Sequence, residues 1–251
     1  MAGHSHWAGI KHKKKKEDKK RGKIFSKLSK KIMSAARRGG GDPEHNLELE
    51  YAIERAKDAD MPKDNIERAI LKGTGELDGG QMEPVRYEGY SSGGAAVMVD
   101  TLTDNRNRTA SEVKKIFSEH GGNVGTSGCV SWLFKTKGLI LLRLNGMSEE
   151  EVFDLAVESG AEDFQEAGDL YELTCTAEDL HDVQNALKDQ GVEFESAEIT
   201  QIPQNYVDLD VNDGRKTLKL MDELEDHDDV ENVASNFNLA DELVEELRDE
   251  E

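Results

Sequence analysis

The chain has 251 residues, 36% of them hydrophobic, which is enough to build cores and rules out wholesale disorder. Its longest purely apolar run is the five residues Ala95 to Val99, far short of the ~18 that a membrane span needs. Two cysteines, Cys129 and Cys175, allow one disulfide arithmetically but more often mean a reducing compartment. The expectation is a soluble, cytoplasmic protein.

The formal net charge of −21 hides a split. Residues 1–40 hold 14 Lys/Arg and only two acids, whereas the other 211 residues hold 18 basic and 51 acidic groups. A basic arm attached to an acidic body suggests a partner that is a polyanion. A solubilising tail and an anchor on anionic lipid are the alternatives. Within 1–22, expected as a flexible arm, Lys11, Lys13, Lys14, Lys15, Lys16, Lys19, Lys20 and Arg21 can neutralise phosphates. His4, His6, Trp7 and His12 lie beside them and could stack on unpaired bases.

From Lys23 onward a helical period appears. Phe25, Leu28, Ile32 and Ala36 share one face, while Lys23, Lys27, Lys30, Lys31 and Arg37 occupy the other, and Gly39-Gly40-Gly41 stops the helix. Asp42-Pro43 reads as the cap and first residue of a second helix carrying Leu49, Ala52, Ile53 and Ala56. Pro62 opens a third, with Ile66, Ala69 and Ile70. Residues 23–73 thus form a three-helix N-terminal domain, and the glycines between Gly73 and Glu83 mark a linker.

Beyond Pro84 strands and helices alternate. Val85 to Tyr90 and Ala95 to Leu102 read as strands, and Thr109-x-x-Glu112 as a capping box before a helix with Val113, Ile116 and Phe117. Cys129 to Phe134 reads as a strand. Leu139 to Leu144, Ser148 to Ser159, Ala161 to Glu166, Leu170 to Thr176, Ala177 to Gln190 and Phe194 to Gln201 then spell strand, helix, strand, strand, helix, strand. That is a βαββαβ unit of ferredoxin-like type, an open antiparallel sheet with two helices on one face. After Pro203 come alternating Val207, Leu209 and Val211, a helix with Leu218, Met221 and Leu224, and alternating Val233, Ser235, Phe237 and Leu239. This remnant has no partners of its own. The fold class is therefore α+β: a helical domain, a middle α/β domain from 84–137 plus 204–239, and the βαββαβ unit of 138–203 inserted into it. Residues 240–251 read as an acidic tail that could form a short helix.

Seven motifs in order carry a resemblance: Met1-Ala-Gly-His-Ser-His-Trp, Lys20-Arg-Gly-Lys-Ile-Phe, Gly39-Gly-Gly-Asp-Pro, Tyr87-Glu-Gly-Tyr, Asp104-Asn-Arg-Asn-Arg-Thr, Gly121-Gly-Asn-Val-Gly and Glu225-Asp-His-Asp-Asp-Val. Together they resemble the YebC/PmpR family, whose organellar relative is the translational activator of cytochrome c oxidase subunit I. The resemblance runs from the first residue to about Asn238. It implies a three-domain, non-enzymatic, cytoplasmic protein that binds nucleic acid. The family has been labelled both a transcriptional regulator and a ribosome-associated factor that eases stalls at proline-rich stretches. The Lys13 to Lys16 run makes this arm unusually Lys-rich, which bears on affinity more than on role.

Other chemistry is weaker. Asp104 to Thr109 reads as a polar loop presenting Arg106, Asn107 and Arg108 to phosphate and sugar, the bland alternative being a turn in which an Arg pairs with Asp104 or a neighbouring acid. Gly121 to Gly128 follows a helix and lacks both a Walker Lys-Ser/Thr and a GxGxxG before a helix, so it reads first as a turn with left-handed residues. No Cys or acidic partner completes a tetrahedral metal set with His4, His6 and His12. Once Met1 is removed, Ala2-Gly3-His4 is at most an adventitious copper or nickel chelator. Asp208-x-Asp210-x-Asn212 imitates a calcium loop, yet Asp213 and Lys219 stand where Gly and Glu belong. His227-Asp228 reads as a helix terminus.

The expectation is a nucleic-acid-binding regulator with no cofactor, no metal, no membrane and no small-molecule substrate. The ribosome and its RNA are favoured, because a strongly acidic body is more comfortable among the few phosphates of a structured RNA than along an exposed duplex. A DNA-binding transcriptional regulator is the alternative, without a helix-turn-helix signal. An enzyme with an acidic cleft is the third reading, without a motif.

Overall fold

The computed structural model describes residues 21–77, 82–143, 147–167 and 170–249. The first helices are α1 (Arg21–Gly39), α2 (Leu47–Asp58) and α3 (Lys63–Thr74). They close over Ile32, Ala35, Ala36, Leu49, Ala52, Ala56, Ile66 and Ala69, with the expected Phe25 and Leu28 packed at the edge. The small residues let the helices approach. A Cβ on Gly73 would stand 2.5 Å from the Met33 carbonyl oxygen, so only glycine fits where α3 crosses α1. The cap of α2 differs from the expectation. Asn46, not Asp42, accepts from Leu49 N–H at 3.1 Å and donates to the Ala35 and Gly40 carbonyls at 2.8 and 2.7 Å. Asn46 satisfies both helix ends with one side chain. Asp42-Pro43 is a turn ahead of it, with Asp42 accepting from Glu44 N–H.

Next comes a sheet of β1 (Glu83–Tyr90), β2 (Ala96–Thr103), the short β3 (Asn123–Val124) and β9 (Val230–Ser235), in the order β3-β1-β2-β9 and antiparallel throughout. Two helices, α4 (Arg106–Glu119) and α7 (Val211–Asp226), cover one face through Val113, Ile116, Phe117, Leu220, Met221 and Leu224. The run Ala96 to Val99 does not alternate because both faces of β2 are covered. Val97 and Val99 meet the helices; Ala96 and Met98 meet Val130, Leu133 and Phe134. That second layer corrects an expectation: Cys129 to Leu133 is a turn and a 3-10 turn rather than a strand. The alternating run Val233 to Leu239 also divides. Asn236 ends β9 by accepting from Ala96 N–H at 2.7 Å, and β10 (Phe237–Leu239) pairs in parallel with β8 (Val207–Leu209). The segment expected as an acidic tail is helix α8 (Asp241–Asp249), docked by the fully buried Leu243.

The βαββαβ unit is present as β4 (Phe134–Arg143), α5 (Glu149–Ser159), β5 (Asp163–Ala167), β6 (Leu170–Thr176), α6 (Leu180–Asp189) and β7 (Phe194–Pro203). Its strand order is β5-β6-β4-β7, all neighbours antiparallel, the ferredoxin-like order. Ser148 caps α5 in a reciprocal box with Glu151. Its core gathers Ile140, Leu142, Val152, Leu155, Leu173, Val183 and Leu187. Strand β4 begins at Phe134, so a boundary at 137/138 would cut through it. Both cysteines are free, Cys175 buried and Cys129 half-buried. Among the described residues no helix is long and apolar enough to cross a membrane.

Candidate nucleic-acid interface

His4, His6, Trp7, Lys11, His12, Lys13, Lys14, Lys15, Lys16, Lys19 and Lys20 lie outside the described residues. Arg21 and Lys23 fall in the first turn of α1. Further along α1, Lys30, Lys31, Arg37 and Arg38 have partners within the protein. Lys30 Nζ sits 2.5 Å from Asp229 Oδ1 and donates to the Asp228 carbonyl at 2.6 Å, with 12% of its side chain exposed. Ser34 donates to Glu231 at 3.2 Å, Lys31 lies 3.7 Å from Glu198, and Arg38 pairs with Glu48. The polar face of α1 thus reaches β9 and β7 through Ser34 and Lys31.

Asp104 to Thr109 is not a loop. Asn105 caps α4 by accepting from Arg108 N–H at 3.1 Å, so Arg106, Asn107 and Arg108 are the first three residues of the helix. Thr109 lies inside it, fully buried, and its capping-box role is taken by Asn105. The S/T-x-x-E template points to Thr109 and hides the cap four residues earlier. The arginines divide. Arg108 lies 3.0 Å from Asp104, 2.9 Å from Asp229 and 3.9 Å from Glu112. Arg106 and Asn107 are exposed, and among the described residues no acid pairs with Arg106.

Asp229 is the node that sequence reasoning missed. One carboxylate collects Lys30 from α1, Arg108 from α4 and the Thr109 hydroxyl at 2.6 Å. Burial pushes its carboxyl up, but these partners outweigh burial and hold it well below the usual carboxylate range. His227, the C-cap of α7, stands beside it. Its Nδ1 accepts from Asp229 N–H at 3.1 Å, which leaves Nε2 facing Glu112 at 2.9 Å. Glu112, His227 and Asp229 are close enough together for a metal ion. The positive charge at Asp229 is already supplied by Lys30 and Arg108. No signal in the sequence could join residues 199 and 121 positions apart.

A helical bundle, a four-stranded α/β sandwich and a ferredoxin-like unit, locked together by ion pairs and carrying a polybasic N-terminus, define a mixed α+β protein built around charge. The chain belongs to the TACO1/YebC family: residues 5–76 match the model of the TACO1/YebC N-terminal domain and residues 82–237 that of its second and third domains. A protein of Halothermothrix orenii named "probable transcriptional regulatory protein" is 53% identical over 253 residues, covering 100% of both chains. One of the same name from Dictyoglomus turgidum is 50% identical, covering 98% of this chain and 100% of its own. The crystal structure of a conserved hypothetical protein, Aq1575, from Aquifex aeolicus superposes with a TM-score of 0.82 at 49% identity, over 89% of this chain and 92% of that one.

Proposed function

We propose that the protein is a non-enzymatic, nucleic-acid-binding regulator of gene expression that grips RNA phosphates with its basic N-terminal arm, Arg106 and Asn107 adding a contact from the start of α4. The observation that carries this reading is the partition of charge. Residues 1–40 hold 14 cations and two acids, whereas nine of the 18 cations of the remaining chain lie in ion pairs with its own carboxylates. Phosphate binding requires cations that can displace counterions, and residues 11–21 hold eight Lys/Arg in sequence. The names of the relatives support a regulator rather than an enzyme.

RNA within a structured particle, the ribosome first, is favoured over duplex DNA. The 51 acids of the remaining 211 residues would be repelled by a long uniform polyanion but tolerated beside locally presented phosphates. The relatives' name, transcriptional regulatory protein, favours DNA as the second reading. Sedimentation with ribosomal subunits against retention on promoter DNA, at matched salt, separates the two. Deleting residues 1–22 tests the grip itself. If about five of the arm's cations meet loop or single-stranded RNA, the log–log salt slope should flatten by about 3.5. An unchanged slope would place the site elsewhere.

A further inference from the structure

The turn between β3 and β4 is clamped from beneath. Glu88 of β1 is 4% exposed and its carboxylate accepts three backbone N–H groups: Gly128 at 2.7 Å, and Val130 and Ser131 at 2.8 Å each. The Glu88 carbonyl takes a fourth, from Gly125, at 2.8 Å, and Gly128 supplies the left-handed residue, at φ +86°, that the turn requires. What this clamp presents is Trp132, 68% exposed on the 3-10 turn that follows. The residue is held through both its indole and its backbone. Its Nε1 donates to the Cys129 carbonyl at 3.1 Å, and the Trp132 carbonyl accepts from Gln204 at 3.1 Å. A fixed indole whose single donor is already satisfied within the protein has only its ring surface left to offer. The charge around it in sequence is distinctive. Residues 120–148 contain no Asp or Glu, the longest such stretch in a chain with 53 acids, and they include Lys135, which is exposed.

We propose that Trp132 is a stacking platform for an unpaired nucleobase of the nucleic acid whose phosphates the arm binds. The proposal rests on the reading under Proposed function and adds a second contact on the middle domain. Stacking needs an exposed, rigid aromatic face, which Trp132 has, and the residues that flank it in sequence, 120–148, add no carboxylate of their own to repel a phosphate. The exposed Thr126 and Ser127 of the clamped turn offer hydroxyls to the same strand.

Trp7 and Trp132 are the two tryptophans of the chain, so the full-length Trp7→Phe variant reports on Trp132 alone. It is titrated with a labelled 12-residue oligoadenylate, following both label anisotropy and tryptophan emission, and in parallel with decaproline. Stacking predicts strong quenching of emission with the same midpoint as the anisotropy. Trp132→Ala in that background should bind about tenfold more weakly with an unchanged melting temperature, and Trp132→Phe should restore most of the loss. Tight binding with unmoved emission and an unaffected Trp132→Ala variant would overturn the proposal and leave the arm reading standing. Quenching by decaproline but not by RNA would make the ring a protein-recognition surface and also overturn it. Deleting residues 1–22 separates the two readings the other way: an unchanged salt slope with quenching retained removes the arm and keeps Trp132. No binding of RNA by the intact chain would sink both.

Discussion

Asp229 ties α1 and α4 to the start of β9 through one carboxylate. It is 4% exposed, and replacing it by Asn would leave Lys30 and Arg108 facing a neutral amide. Breaking a buried pair from one side costs about 3 kcal/mol, chiefly through the charge left behind. Asp229→Asn should therefore lower the unfolding free energy by about that much at neutral pH in urea titrations. Because the folded-state carboxyl is held below its ordinary value, this stabilisation is present above about pH 4 and is lost as pH falls further. The gap between wild type and variant should close on acidification. Lys30→Met combined with Asp229→Asn should cost less than the two changes summed. Additive costs, or a gap that persists into acid, would show that the cluster is not coupled as described.

At the scale of the element, the start of α4 turns one expected binding loop into two different roles. Arg106 is exposed and Arg108 is tied to Asp104 and Asp229, so single alanine substitutions should separate them. Arg106→Ala should weaken RNA binding with a stability change under about 0.5 kcal/mol. Arg108→Ala should lower the melting temperature by several degrees, because it strips a partner from a buried carboxylate. Equal melting temperatures for the two would contradict the ion-pair geometry. This division also marks where the sequence was legible. Helical and alternating periods located nearly every element, because each is written in neighbouring residues: Ile32 and Ala36 on one turn-spaced face, Ser148 and Glu151 across one cap. What was not legible depended on distant partners. Nothing around Lys30 announces Asp229, 199 positions away. Nothing around Cys129 to Phe134 says that this segment forms a layer over Ala96 and Met98 instead of a strand in their sheet.

For the whole molecule, the question is how far the three cores depend on one another. The ferredoxin-like unit has its own core, and its four strands pair only with each other. Its links to the rest include Phe134, packed with Ala96 and Met98, and polar contacts such as Arg55 of α2 to Glu198 at 3.1 Å and the Tyr51 hydroxyl to Gln184. Losing such links leaves the apolar cluster of Ile140, Leu142, Leu173 and Leu187 intact. Residues 134–203 expressed alone should therefore fold cooperatively, with a single urea transition and far-ultraviolet dichroism of mixed helix and strand. Starting at 138 should weaken the fragment, because Phe134, Lys135, Thr136 and Lys137 pair with Pro203, Ile202, Gln201 and Thr200 along β7. The shorter fragment would strand that end of β7 as an unpaired edge. It should unfold at lower urea and associate more readily. Disorder in the longer fragment would mean that the unit is held by its neighbours, and that Gln184 and Glu198 matter to its folding as well as to its docking.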